Sequence, residues 1–110
     1  GRMDWHGSGV TKPTRSFVSR DGNICVTANF NKYSSPLVNY EYTWKLQEFR
    51  YGQWTTIRKS SKYSANGNRD HECYSGGIKK KGTYYRVTFD PGSNFVYVHG
   101  SYWVWGYKHN

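Results

Sequence analysis

Tyr40-Glu41-Tyr42-Thr43-Trp44-Lys45-Leu46-Gln47-Glu48 is the stretch that decides the fold. Tyr40, Tyr42, Trp44 and Leu46 alternate with Glu41, Thr43, Lys45 and Gln47, and a period of two is the signature of a strand with one face buried. Downstream, Arg50-Tyr51-Gly52-Gln53 reads as a hairpin turn into Trp54-Thr55-Thr56-Ile57-Arg58-Lys59. Upstream, a loop over Asn31 to Pro36 separates the stretch from Ile24, Val26, Ala28 and Phe30, which alternate with Cys25, Thr27 and Asn29 in a second half-buried strand.

The same punctuation continues along the chain. Ser16 to Ser19 is a short strand closed by the turn Arg20-Asp21-Gly22-Asn23, and Asn66-Gly67 is a turn dipeptide. His71 to Tyr74 is a short strand ended by Gly76-Gly77. Thr83 to Phe89 aligns Tyr85, Val87 and Phe89, and Asp90-Pro91-Gly92-Ser93-Asn94 is a strong turn. The last segment, Phe95 to Tyr107, carries β-branched and aromatic residues with Gly100 and Gly106 as bends or bulges. About seven strands and no helix are expected, so the predicted class is all-β: a single antiparallel β-sandwich.

Composition agrees. The 110 residues include 11 Tyr, 5 Trp and 5 Phe, but only two Leu, three Ile and two Ala, so good helix formers are scarce. The length allows one core and no second domain. Residues 1–15, with Gly7, Gly9 and Pro13, are expected as an N-terminal arm or irregular edge segment whose Trp5 and His6 dock on the body; residues 16–110 form the sandwich domain. No apolar run reaches the roughly 18 residues of a transmembrane helix, and no signal-peptide pattern is present, so in an exported protein this would be the mature chain. Gly1-Arg2-Met3 reads equally as native sequence or as a cloning remnant.

Ile24-x-Val26-x-Ala28, Tyr42-x-Trp44-x-Leu46 and Gly82-Thr83-Tyr84-Tyr85-Arg86-Val87 resemble the B, C and F strands of immunoglobulin-like and fibronectin type III-like sandwiches, including the core Trp and the corner tyrosine. The chain departs from the antibody-type pattern because the inward B and F positions are Val26 and Val87. Cys25 lies one residue off that register and Cys73 precedes the F strand, so a disulfide would join different elements. Leu46 to Ile57 followed by a Ser-rich stretch and Lys-Gly-Thr-Tyr-Tyr-Arg-Val also resembles small exported proteins of Gram-positive bacteria. That resemblance implies a secreted sandwich and no catalytic residue.

Cys25 and Cys73 show no CxxC and no His at zinc-ligand spacing, which disfavours a metal site. An even count in a small chain suggests one disulfide and a secreted, extracellular location; the alternative is a reduced pair buried as small hydrophobes. No cofactor motif is present: there is no P-loop, GxSxG, HExxH or EF-hand loop.

Sixteen Lys and Arg against seven Asp and Glu give a net charge of +9. Long-range attraction to an anionic polymer or membrane surface follows, with teichoic acid, anionic lipid, an acidic glycan or nucleic acid as candidates. The expected binding residues are two cationic loops, Lys79-Lys80-Lys81 and Arg58, Lys59 and Lys62, with a C-terminal aromatic row of Tyr102, Trp103, Trp105 and Tyr107. Alternation puts Trp103, Trp105 and Tyr107 on one face and Tyr102 and Val104 on the other, and an outward row suits stacking on sugars or bases, or a lipid interface. The preferred expectation is therefore a binding protein, such as an antimicrobial or bacteriocin-like effector, and not an enzyme. Two alternatives stand beside it: a carbohydrate-binding module with a Trp103–Trp105 platform, and a small basic ribonuclease or toxin using His71 or His99 with a Glu and Arg69, Arg86 or Lys80.

Overall fold

The computed structural model of the protein describes residues 1–6, 11–32, 40–90 and 97–110. The turn expected at 91–94, most of the loop before Pro36 and the side chains of Trp5 and His6 lie outside the described residues. Nine strands follow in order: β1 (Arg2–His6), β2 (Lys12–Pro13), β3 (Ile24–Lys32), β4 (Glu41–Arg50), β5 (Gln53–Lys59), β6 (Tyr63–Ser64), β7 (Asp70–Tyr74), β8 (Tyr85–Asp90) and β9 (Tyr97–Trp105). They form two sheets, β1-β9-β3-β7 (sheet I) and β2-β8-β4-β5 with β6 also beside β4 (sheet II), and every pairing between these strands is antiparallel. No helix occurs among the described residues, and none is long and apolar enough to cross a membrane.

The two sheets pack face to face over the residues that the alternation selects. Ile24, Val26, Ala28 and Phe30 of β3 meet Tyr42, Trp44 and Leu46 of β4 and Tyr85, Val87 and Phe89 of β8, all fully or almost fully buried. Aromatic rings do the filling that Leu and Ile do elsewhere. Phe30 meets Tyr42 and Phe89 edge-on at 5.2 and 5.3 Å, and Trp44 stacks on Tyr63 at 5.3 Å; such pairs add to plain area burial. Their polar ends are matched. Trp44 Nε1 donates to Tyr74 Oη at 2.8 Å, Tyr74 and Tyr63 donate to Glu72, and Tyr42 donates to Asp70. Asp70 and Glu72 thus occupy the inward positions of β7 as acceptors for core tyrosines.

The β4–β5 hairpin closes through Tyr51 and Gly52, both at positive φ (48° and 77°), the geometry of a type I′ turn. The expected strand at Ser16 to Ser19 is reduced to isolated bridges, Phe17 to Tyr85 and Ser19 to Lys80. Arg2–His6 and Lys12–Pro13 of the N-terminal segment pair into the sheets. β1 zips along β9 from Arg2↔Ser101 to His6↔Tyr97, and β2 borders β8, so each sheet receives an edge strand from this segment. Gly100 is neither bend nor bulge: it pairs regularly with Phe30 and Met3, and a Cβ there would stand 2.1 Å from the Asn29 carbonyl oxygen.

Candidate functional site

Cross-strand partners share a face, so the register of sheet I fixes what it presents outward. β1 contributes Arg2 and Asp4, β9 contributes His99, Ser101, Trp103 and Trp105, β3 contributes Cys25, Thr27, Asn29 and Asn31, and β7 contributes His71 and Cys73. Trp103 is 48% exposed in the middle of this face. The expected split of the C-terminal row therefore holds for the strand itself: Trp103 and Trp105 face outward, whereas Tyr102 turns inward and packs on Phe89 at 5.3 Å. Tyr107 leaves the row. Its chain bends away at Gly106, where a Cβ would lie 2.1 Å from the Val18 carbonyl oxygen, and its ring sits under the Arg20 guanidinium at 4.2 Å.

Trp103 and Asn29 form a ridge between two shallow hollows. One, about 330 Å³, is lined by Thr27, Asn29, Arg69, Trp103, Trp105 and His109. The other, about 430 Å³, is lined by Asn29, Asn31, Trp103, His99, Ser101 and Arg2, with Gly67 and Gly100. Each hollow ends in an arginine, and among the described residues neither Arg2 nor Arg69 is engaged in a hydrogen bond or ion pair. Indole, amides, a hydroxyl and two available guanidinium groups make a surface suited to a polyhydroxylated, negatively charged ligand.

The cysteines sit at one end of the same face. Cys25 and Cys73 are direct partners across β3 and β7, with Cα atoms 4.0 Å apart, and form a disulfide within sheet I. The C-terminal residues fold over it. His109 stacks its ring on Trp105 at 3.8 Å, and its N–H donates to Cys25 Sγ at 3.2 Å. Lys108 N–H donates to Asp21 and, against an opposing effect of burial and with the help of other local amides, holds that carboxyl below its ordinary value. His71, two residues from Cys73 and so on its face, brings Nε2 to 3.3 Å from Cys73 Sγ, a proximity that zinc-ligand spacing did not reveal. Both sulfurs are bonded to each other, and both ring nitrogens of His71 are engaged: Nε2 donates to the His109 carbonyl at 3.0 Å, and Nδ1 accepts from Thr27 Oγ1 at 2.6 Å. Both ring nitrogens of His71 are thus occupied by groups of the protein itself.

The expected cationic loops lie elsewhere. Arg58 is half-buried and donates to the carbonyls of Ile57, Ser75 and Gly76, tying β5 to the connection after β7. Lys79 places Nζ 3.7 Å from buried Glu48, whose carboxylate also binds Arg50 Nε at 2.5 Å and accepts from Tyr85 Oη at 3.0 Å. Burial pushes Glu48 up, but these partners together hold it below the usual carboxylate range. Lys80 forms the bridge to Ser19 and Lys81 N–H donates to the Ser19 carbonyl, Lys59 is opposite Lys45 through the pairing of β4 with β5, and Lys62 precedes β6, all four lysines exposed. None of these six lines the Trp103 hollows. The cations that do are Arg2 and Arg69, with Arg15 in a third hollow that borders Trp103 and Trp105 on the side of Phe17.

Comparison with protein-family models, with curated proteins and with solved structures finds no match.

Proposed function

We propose that the protein is a secreted binding module that takes an anionic polymer of a cell surface or envelope onto the outer face of sheet I, with Trp103 as its stacking platform. The observation that carries this reading is the half-exposed Trp103 at mid-strand, between two hollows that each end in an unengaged arginine. A large aromatic held out of the core on a rigid strand is pre-positioned for a ring, and stacking of a nucleobase on such a side chain, the measured analogue, contributes about 1–3 kcal/mol. The net charge of +9 raises the local concentration of any polyanion before contact. Lys59, Lys62, Lys80 and Lys81 act in this long-range role, and an antimicrobial effector acting at an anionic envelope is one use of it. The disulfide is the support for an extracellular location. β3, β4 and β8 carry the immunoglobulin-like reading, with β9 beside β3 instead of beside β8 as its departure.

The test is a pull-down on anionic cell wall, anionic liposomes and neutral polysaccharide, repeated at high salt with wild type and Trp103→Ala. Retention on the anionic wall that weakens with salt and falls in the variant supports the proposal. Equal retention of both proteins on every surface contradicts it.

A further inference from the structure

The two arginines lie at opposite ends of one transverse row. Arg2 of β1 pairs with Ser101 of β9, and Ser101 pairs with Asn29 of β3. Arg69 immediately precedes Asp70, the β7 partner of Ala28, and lines one hollow with Asn29 and Trp103. The row runs from Arg2 of β1 through Ser101 of β9 and Asn29 of β3 to Arg69, just before β7, cationic at its ends and neutral in its middle. Three strand spacings put its ends about 14 Å apart at the backbone. Trp103 stands one position along β9 from Ser101 on the same face, beside the middle of the row.

That spacing discriminates among polyanions. A nucleic-acid strand carries a phosphate on every nucleotide, so a strand spanning both arginines would also set phosphate over Ser101 and Asn29, where no cation of the row meets it. A lipid headgroup is too short to reach both ends. A polysaccharide with its acids on separate units leaves neutral, hydroxyl-rich sugar over Ser101, Asn29 and the indole, whose hydroxyl, amide and ring match it. Asp4, on the same face one outward position along β1, opposes a path along the neighbouring row of Asp4, His99 and Asn31. Asp70 and Glu72 face the core and accept from Tyr42, Tyr63 and Tyr74.

We propose that the ligand is an acidic polysaccharide with negative groups on alternate units, laid across the strands of sheet I and held at its ends by Arg2 and Arg69, which presupposes the polymer-binding role proposed above. The probes are hyaluronan oligosaccharides, in which one sugar in two carries a carboxylate, beside neutral dextran oligosaccharides and oligo(dT) of matched length. Affinities are measured at fixed salt for wild type, Arg2→Gln, Arg69→Gln and Trp103→Ala, with thermal unfolding to check that each variant is folded. Hyaluronan is expected to bind more tightly than dextran or oligo(dT), with a step in affinity once the oligosaccharide reaches both arginines. Either Arg→Gln change should remove that step and weaken the long oligosaccharide about tenfold, the loss of one charged hydrogen-bonding partner. Unchanged affinity in both arginine variants, with loss in Trp103→Ala, overturns the arginine row while leaving the platform. No effect of Trp103→Ala on any probe overturns the platform itself. Tighter binding of oligo(dT) than of hyaluronan overturns the polysaccharide assignment.

Discussion

On the outer face of sheet I, Arg2 and Arg69 stand unengaged in the hollows on either side of Trp103, whereas beside sheet II Arg58 is tied to three carbonyls and Lys79 leans on buried Glu48. Both regions are cationic and aromatic. The second also exposes Phe49, Tyr51 and Tyr84 around the β4–β5 turn, with Arg86 over the Trp54 ring at 4.5 Å. The difference lies in what the cations already hold. Arg58 and Lys79 of the second region are held by parts of the fold, while Arg2 and Arg69 of the first have their donors available. Charge counted along a chain therefore includes cations, such as Arg58 and Lys79, that the fold already holds.

Changes aimed at each region should separate stability from binding. Removing the disulfide by Cys25→Ser with Cys73→Ser should have the largest effect. On the chain-entropy model a cross-link closing a separation of 48 residues contributes about 4 kcal/mol, read as a lower denaturant midpoint. The Trp105–His109 stack over it should loosen as well, visible in near-ultraviolet circular dichroism.

Glu48→Gln acts on the sheet II cluster and should cost about 2 kcal/mol, the worth of its charged hydrogen bonds, while leaving polymer affinity within twofold, roughly 0.4 kcal/mol. It also has a pH signature. Glu48 is held below its ordinary 4.5, so its stabilisation is present above that value and is lost as pH falls through the lower folded-state value. Asp70 is raised above 3.8 by burial, only partly offset by the Tyr42 hydroxyl, so its charged form opposes folding and the penalty is relieved as pH falls. Acid unfolding should accordingly flatten in Glu48→Gln, and Asp70→Asn should lose that relief. A steeper acid limb in Glu48→Gln than in wild type would show that its partners do not hold it charged.

Trp103→Ala reverses the pattern. Affinity for an acidic polymer should fall by about 1–3 kcal/mol, with stability changed by less than about 0.5 kcal/mol because the ring is half outside the core. The smallest effect belongs to Lys80→Gln with Lys81→Gln. Affinity should drop a few-fold at low salt and hardly at all at high salt, since these lysines act through the long-range field; a salt-independent loss would move the binding site to that loop.

The fold was legible because its strongest signal is local. Alternation in Tyr40 to Glu48 and in Ile24 to Phe30 selected the buried faces correctly, and continuing it by one step would have put Glu48 inside, where it is fully buried. β1 was not legible, since five residues of mixed polarity become a strand only by pairing with β9, nearly the whole chain away. The outward turn of Trp103 and Trp105 could be read as one of two faces, but their neighbours could not. Arg2, Asn29 and Arg69 meet them only through the register of sheet I, whereas Lys79 to Lys81 drew attention by standing together in sequence.

The most direct test of the central claim is amide and indole chemical-shift mapping during titration with an acidic polysaccharide. Perturbations are expected at the Trp103 indole N–H and at the amides of Asn29, Ser101 and Arg69, with Lys79 to Lys81 shifting little. Shifts confined to Lys79–Lys81 and Arg58–Lys62, with the Trp103 indole unmoved, would contradict the account.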